Sequence, residues 1–132
     1  MQVSIEKQSD GTYIAYNTTG DMVTLLGSGN TVQEAKDDFK ASFEAVKNSY
    51  ENRGDAVPSE LLETVEFKFD LASLFEYYSC LNIGNLAKFV GINPSLMRQY
   101  KQGNTYISEA QLLKIQAGIN RLGAELERLR LV

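Results

Sequence analysis

Hydrophobic residues near the start of the chain follow a period of two, which is typical of strands that bury one face. Val3 and Ile5 alternate with the polar residues 2, 4 and 6, and the turn sequence Ser9-Asp10-Gly11-Thr12 separates this stretch from a second predicted strand over residues 13–16. A third apolar run covers residues 22–26, and residues 65–69 alternate Val, Phe and Phe with charged residues. The pattern predicts a meander of three strands and a fourth strand later in the chain.

Between the third and fourth strands the apolar period changes to three and four residues, which predicts an amphipathic helix. The sequence Thr31-Val32-Gln33-Glu34 has the spacing of a capping box, in which the Thr31 hydroxyl and the Glu34 carboxylate satisfy each other's backbone N–H groups. The apolar stripe of this helix contains Val32, Ala35, Phe39, Phe43, Val46 and Tyr50. Residues 1–70 are therefore predicted to form a β-β-β-α-β unit, with the helix lying across the sheet.

The remaining residues show helical periodicity only. A short helix is predicted from Leu71 to about Ser79, two more lie between Asn82 and Gly103, and another begins after Ser108. The tail, residues 124–132, fits a last helical turn or a short strand equally well. We therefore predict an α+β fold, with one domain at residues 1–70 and an all-α domain at residues 71–132.

The stretch from Asn82 to Gly103 is the most specific feature of the second domain. Asn82 can cap a first helix, Gly91 can end it in a left-handed conformation, and Asn93 followed by Pro94 can start a second helix. The second helix would turn Leu96, Met97 and Tyr100 toward the core. Two short helices joined by a glycine turn, the second with an exposed polar face, resemble a DNA-binding helix-turn-helix. The alternative is a packed helix pair with no role in DNA binding.

On the helix-turn-helix hypothesis, the exposed polar residues of this stretch are the candidate DNA contacts. Arg98 has the donors to read guanine and Gln99 can pair with adenine, whereas Ser95, Lys101 and Lys88 suit phosphate contacts. Asn93 would serve as a helix cap or as a further contact. The complete candidate set is Lys88, Asn93, Ser95, Arg98, Gln99, Lys101 and Gln102.

Charge divides the chain in the same place as the fold pattern. The overall net charge is −4. Residues 1–70 carry thirteen acidic and six basic residues, a net of −7, whereas residues 71–132 carry four acidic and seven basic residues, a net of +3. Such a split indicates that the second half meets an anion and that the first half has another task.

Other features of the composition exclude several classes of protein. The chain has no histidine and one cysteine, Cys80, which we expect to be a buried thiol. No apolar run reaches membrane-spanning length and no signal-peptide pattern is present, so we expect a cytoplasmic protein without membrane contact. Asp10 and Asp21 lie in turn sequences, and Asp37 and Asp38 are adjacent on a helix, so no two-metal nuclease site can be assembled from them. We therefore expect no enzyme activity, no catalytic or metal-binding residues, and no cofactor.

The first half resembles the HicB family of bacterial antitoxins. The resemblance is carried by Asp10-Gly11-Thr12-Tyr13-Ile14-Ala15 in the hairpin and by Gly29-Asn30-Thr31-Val32-Gln33-Glu34-Ala35 at the helix start. The chain departs from the family pattern at Asn17-Thr18-Thr19-Gly20-Asp21, where a Pro-Gly segment is common. The resemblance implies a degenerate RNase H-like domain that binds and blocks a small mRNA-cleaving toxin of the HicA type. It also implies that the second half is a lambda-repressor-like domain with which a dimer represses its own operon.

The sequence leaves the role of two candidate partner surfaces undecided. The acidic residues Asp37, Asp38 and Glu44 could attract a basic toxin or could be a solvated helix face. Leucines at 122, 126, 129 and 131 could pair two chains in a homodimer or higher homo-oligomer, or could close the core of one chain. The alternative to an antitoxin is a stand-alone transcriptional regulator whose first domain binds a small ligand or a protein other than a toxin.

Overall fold

A computed structural model describes residues 1–20, 23–103 and 105–132 of the chain. The fold is α+β, as the sequence predicts, with one mixed four-stranded sheet and five α-helices in the described part. The chain divides into two compact units, Met1–Tyr78 and Ser79–Val132, which are called the N-terminal unit and the C-terminal unit below. No helix among the described residues is both long and apolar enough to cross a membrane.

The sheet of the N-terminal unit contains β1 (Gln2–Lys7), β2 (Tyr13–Asn17), β3 (Leu26–Gly29) and β4 (Glu66–Phe69). Its strand order is β3-β2-β1-β4. β2 pairs antiparallel with both β1 and β3, and β4 pairs parallel with β1. The parallel pairing is possible because the long crossover between β3 and β4 contains a helix.

The third strand differs from its predicted position at residues 22–26. Met22 lies outside the described residues, and the observed strand begins only at Leu26. Its path depends on Gly27, where an added Cβ would lie 2.3 Å from the backbone N of Phe39 and 2.6 Å from the carbonyl O of Ala35. Only glycine allows β3 to lie this close to the helix. Sequence periodicity cannot reveal such a requirement, because it shows which residues are apolar and not how closely two backbones approach.

The residues just before β3 are buried without forming a strand. Val23 and Leu25 are both buried. The Asn17 side chain donates to the carbonyl O of Val23 at 2.7 Å and accepts from the N–H of Leu25 at 2.8 Å. One amide side chain thus supplies hydrogen bonds that a strand ladder would otherwise provide.

Helix α1 (Val32–Arg53) crosses the sheet and covers one face of it. The Thr31 hydroxyl accepts from the N–H of Glu34 at 3.1 Å, as the capping box predicts. The Glu34 carboxylate, however, accepts from the N–H of Asn30 at 2.7 Å and not from that of Thr31. The core between helix and sheet contains Met1, Val3, Ile5, Tyr13, Ala15, Val23, Leu25, Val32, Ala35, Phe39, Phe43 and Leu61.

Helix α2 (Leu71–Tyr77) belongs to the N-terminal unit, so the two compact units divide eight residues beyond the predicted boundary at 70/71. Asp70 fixes its start, since one carboxylate oxygen accepts from the N–H of Ser73 at 2.8 Å and the other accepts from the N–H of Lys7 at 3.0 Å. Tyr77 at the end of the helix packs against Phe69 of β4, with the two ring centroids 5.7 Å apart. These contacts tie the helix to the sheet.

The C-terminal unit consists of α3 (Ile83–Val90), α4 (Pro94–Gln102) and α5 (Glu109–Arg128). The first part of the tail, to Arg128, therefore continues the last helix. Gly118 of α5 lies directly against α3, because an added Cβ there would be 2.2 Å from Cγ1 of Val90. The expectation of a buried Cys80 is wrong: the thiol is exposed, because its position falls in the segment before α3 and not on a core-facing helix.

Candidate nucleic-acid interface

The turn between α3 and α4 is fixed by local hydrogen bonds. The Asn82 side chain caps α3 by accepting from the N–H of Asn85 at 2.9 Å. Gly91 then adopts a left-handed conformation with φ of 83°, and the N–H of the buried Ile92 donates to the carbonyl O of Ala87 at 2.8 Å. This is the glycine-ended helix terminus that the sequence predicts.

Helix α4 begins immediately after this turn. The side-chain oxygen of Asn93 accepts from the N–H groups of Ser95 at 2.9 Å and Leu96 at 3.3 Å, with Pro94 at the first helical position. Met97 and Tyr100 are buried. The carbonyl-type oxygen of Asn93 is therefore occupied as a cap, which leaves only its NH₂ group for an outside ligand.

All seven candidate DNA contacts, on α3 and α4 or at the cap between them, are exposed. Four of them, Ser95, Arg98, Gln99 and Gln102, lie at helical positions i, i+3, i+4 and i+7 and so share one stripe of α4. Lys101 flanks this stripe on the same helix, whereas Lys88 lies in the last turn of α3. The stripe and the buried pair Met97 and Tyr100 occupy different faces of α4, as a helix with one free polar surface requires.

Arg98 has a more restricted position than the other residues of the stripe. A Cβ added to Gly84 would lie 3.1 Å from Nη2 of Arg98, so the guanidinium group rests on the first turn of α3. Glycine at position 84 leaves the room for it. The group remains exposed to solvent, so it can turn its outer N–H donors to a ligand while it packs on α3.

Three basic residues of α5 were not among the sequence candidates. Lys114, Arg121 and Arg128 recur every seven residues and therefore follow one face of the helix. Lys114 lies over the turn glycine, since a Cβ on Gly91 would be 3.1 Å from Cε of Lys114. Arg121 donates to the carbonyl O of Phe89 at 2.7 Å and stacks 4.2 Å from its ring centroid. The seven-residue repeat was readable in the sequence, but its position beside the end of α3 was not.

The charge contrast between the two compact units is larger than that between the predicted domains. The N-terminal unit carries six basic and fourteen acidic residues, a net of −8. The C-terminal unit carries seven basic and three acidic residues, a net of +4. The difference arises because Glu76 lies on α2, which packs in the N-terminal unit.

The three acidic candidates for toxin contact lie exposed on α1 but in different surroundings. Asp38 accepts a hydrogen bond from the N–H of Ser28 at 2.9 Å, so its carboxylate is engaged by β3. Asp37 accepts from the side-chain amide of Gln33 at 2.9 Å. Asp37 and Glu44 are seven residues apart and share a helix face, from which Asp38 is rotated toward the sheet.

The Asp10 carboxylate accepts hydrogen bonds within its own turn. It accepts from the Thr12 hydroxyl at 2.6 Å and from the N–H of Thr12 at 2.9 Å, and these bonds lower the pKa of Asp10 below its usual value. Within residues 1–20, 23–103 and 105–132, no three His, Cys, Asp or Glu side chains form a group that could hold a metal ion.

The resemblance to HicB is carried by the hairpin and capping-box motifs, and it stays a prediction. Comparison with known protein families, with curated protein sequences and with solved structures finds no match to this chain.

Proposed function

We propose that this protein is an antitoxin that also represses its own operon. The C-terminal unit binds operator DNA through α4, and the N-terminal unit binds and blocks a HicA-type mRNA-cleaving toxin. The observation that carries the proposal is the exposed stripe Ser95, Arg98, Gln99 and Gln102 on α4, a helix that starts at a fixed turn and buries its opposite side. A helix of this kind is the element that enters the major groove in helix-turn-helix proteins.

Electrostatics supports DNA as the ligand of the C-terminal unit. Its net charge of +4 favours a phosphate backbone, and basic residues occur on all three helices. Lys88 and Lys114 belong to the region around the Gly91 turn, next to the start of the proposed reading helix. In the proposal they contact phosphates and set the position of α4, whereas Gln99 and Arg98 contact bases.

The antitoxin role of the N-terminal unit is supported by its element order and its charge. The observed order over residues 1–70, β-β-β-α-β, agrees with the order of features in which this part of the chain resembles HicB. A net charge of −8 attracts a basic RNA-binding toxin and repels nucleic acid. Asp37 and Glu44, which share the exposed face of α1, are better placed for such a contact than Asp38, whose carboxylate already holds β3.

Dimer formation is assigned to α5 in this proposal. Leucine and isoleucine recur along α5 at intervals of three and four residues, which is the heptad spacing of helices that pair with a copy of themselves. Two of these residues, Leu126 and Leu129, are each 57% exposed in the single chain. A helix of 20 residues spans about 30 Å, whereas α3 with 8 residues spans about 12 Å, so α5 extends far beyond it. The full series is Leu112, Ile115, Ile119, Leu122, Leu126 and, directly after the last helical residue, Leu129. Ile115 is buried within the single chain, so the exposed members, above all Leu126 and Leu129, are the ones left to pair.

The DNA-binding proposal is tested with Arg98→Ala and Gln99→Ala in a footprinting and titration assay on the chain's own promoter DNA. We expect each change to weaken specific binding by roughly 1–3 kcal/mol and to relax preference at one base position. Arg53→Ala, an Arg-to-Ala change in the acidic unit, is the matched control and should bind normally. Unaltered binding by both α4 variants would show that α4 is not the reading helix.

The antitoxin proposal is tested by co-expression. If the neighbouring reading frame encodes a small basic protein that arrests growth, this chain should restore growth and co-purify with that protein. We expect Asp37→Lys combined with Glu44→Lys to lose rescue while operator binding is kept. Absence of any rescue, with operator binding intact, would instead identify a stand-alone regulator.

The role of α5 is tested by measuring operator affinity after Leu126→Glu and Leu129→Glu. Loss of pairing removes the link between two half-sites, so we expect affinity for the full operator to fall toward that for one half-site. Leu113→Glu is the matched control, because Leu113 is also exposed but lies off the heptad series. Equal effects of the control and the test variants would argue against the α5 pairing.

A further inference from the structure

The sheet of the N-terminal unit has two edges, and only one of them is covered by hydrogen bonds from another element. The strand order β3-β2-β1-β4 leaves β3 and β4 with one neighbour each. An edge strand presents a row of backbone N–H and C=O groups that can pair with another strand unless something covers them.

The outer edge of β3 is occupied by side chains of α1. Glu34 accepts from the N–H of Asn30 at 2.7 Å, and Asp38 accepts from the N–H of Ser28 at 2.9 Å. The Ser42 hydroxyl donates to the carbonyl O of Leu26 at 3.2 Å. Residues 34, 38 and 42 are four apart and lie on one face of the helix. α1 thereby closes this edge to strand addition.

The outer edge of β4 has no such cover. The N–H of Glu66 donates to the carbonyl O of Met1, and the N–H of Asp70 donates to the carbonyl O of Ile5. The backbone groups of Glu66 and Asp70 therefore face β1. Because alternate residues of a strand point their backbone groups to opposite sides, Phe67 and Phe69 present theirs to the outside. None of the hydrogen bonds within the described parts of the chain involves those outward groups.

The sequence of β4 is complementary to itself. Two copies can pair antiparallel through their outward groups in registers centred on residue 66, 67 or 68, whereas a centre at 65 or 69 would place much of the pairing beyond the ends of β4. Centring on Glu66 opposes two glutamates, and centring on Lys68 opposes two lysines, both of which are unfavourable. Centring on Phe67 places Glu66 opposite Lys68 of the second copy, twice by symmetry, and sets the two Phe67 residues side by side.

We propose that β4 pairs antiparallel with β4 of a second copy of this chain, centred on Phe67, to form a continuous eight-stranded sheet. The parallel register with β1 puts Phe67 and Phe69 on the core face with Val3 and Ile5. Both phenylalanines are only half-buried, and so is Val65, which this register places opposite Phe69 of the second copy. Pairing therefore buries apolar surface on one face of the sheet and neutralises charges on the other.

This contact is separate from the pairing of α5 and does not depend on DNA or toxin binding. β4 belongs to the N-terminal unit and α5 to the C-terminal unit. Variants that disable α5 therefore isolate β4 pairing in the full-length chain. The background for the test is Leu126→Glu with Leu129→Glu.

Sedimentation velocity of the full-length background variant is the principal test. We expect a concentration-dependent dimer at low ionic strength. Glu66→Lys and Lys68→Glu should each weaken dimerisation by roughly tenfold to a hundredfold, because both symmetric charge pairs become repulsive. The double swap, Glu66→Lys with Lys68→Glu, should restore it. A background variant that stays monomeric at all concentrations, or charge reversals without effect, would overturn the proposal.

Mixing provides a second test that does not depend on comparing stabilities. In the proposed register, two Glu66→Lys chains would place lysine opposite lysine at positions 66 and 68. Two Lys68→Glu chains would place glutamate opposite glutamate there, so neither variant should pair with itself. A mixture of the two should associate, because each lysine then faces a glutamate. In amide hydrogen exchange, protection at Phe67 and Phe69 should rise with concentration of the unreversed chain. Failure of the mixture to associate, or protection that does not rise at these amides, would refute the register.

Discussion

The contact between Gly118 of α5 and Val90 of α3 allows a sharp test of how the C-terminal unit is packed. A Cβ at position 118 would lie 2.2 Å from Cγ1, 2.7 Å from Cβ and 3.2 Å from Cα of Val90. Carbon atoms in contact are ordinarily about 3.5–4.0 Å apart. Rotation of the valine side chain moves Cγ1 but not Cβ or Cα, so Gly118→Ala must push the two helices apart.

Gly123 provides the matched control on the same helix. A Cβ there would meet no atom within 4 Å. Replacing a helical glycine by alanine stabilises a helix by roughly 0.5–1 kcal/mol, and this gain applies to both positions. At position 118 an overpacking cost of about 1–3 kcal/mol is added. Gly123→Ala should therefore stabilise the unit, and Gly118→Ala should be less stable than Gly123→Ala by about 1–3 kcal/mol.

The assay is urea and thermal unfolding of the full-length variants, followed by far-ultraviolet circular dichroism. Adding Val90→Ala should reduce the penalty of Gly118→Ala, because it removes the nearest methyl group, and a double-mutant cycle measures this coupling. Equal stabilisation by the two glycine replacements, with no coupling to Val90, would refute the close packing of α3 on α5.

Three further predictions concern single side chains whose bonds hold loops or helix ends, all measured by thermal unfolding. Asn17→Ala should destabilise the N-terminal unit by roughly 1–3 kcal/mol, because it leaves backbone groups before β3 without partners. Arg121→Met should cost about 1–2 kcal/mol by removing a hydrogen bond and a cation–π contact with α3, whereas Arg128→Met should change stability by less than about 0.5 kcal/mol. Asp38→Ala should cost about 1 kcal/mol more than Asp37→Ala, since only Asp38 bonds to the backbone of β3; similar losses at both positions would contradict the capping of that edge.

The capping residues at the helix starts of this protein could be predicted from the sequence. Asp70, Asn82, Asn93 and Ser108 each accept a hydrogen bond from a backbone N–H two or three residues later, as their positions before apolar helical patterns indicate. The exposed stripe of α4 was also predicted correctly, because helical periodicity alone separates it from Met97 and Tyr100. These features depend on interactions between residues close in sequence.

Two features that the sequence did not predict depend on contacts between distant segments. The repeat of Lys114 and Arg121 was visible, but only packing of α5 on α3 brings them to the end of that helix. Glu34 was expected to complete a capping box with Thr31, but it bonds to Asn30, at the edge of β3. The local pattern identified the participants in each case, and the choice of partner depended on the path of the backbone.

The sequence by itself determined the order of the elements, the faces that helices bury, the α4 stripe and the contrast of charge between the two ends of the chain. Tertiary structure alone decided where β3 begins, which unit holds α2, and that α1 closes one sheet edge while β4 remains open. The physical reason is one of range. Caps, turns and periodicity act over a few residues, whereas strand pairing joins β1 to β4 across more than sixty residues, as in the pair Gln2 and Glu66. Close approaches such as that of Gly27 to Phe39 are likewise set by the meeting of two whole elements.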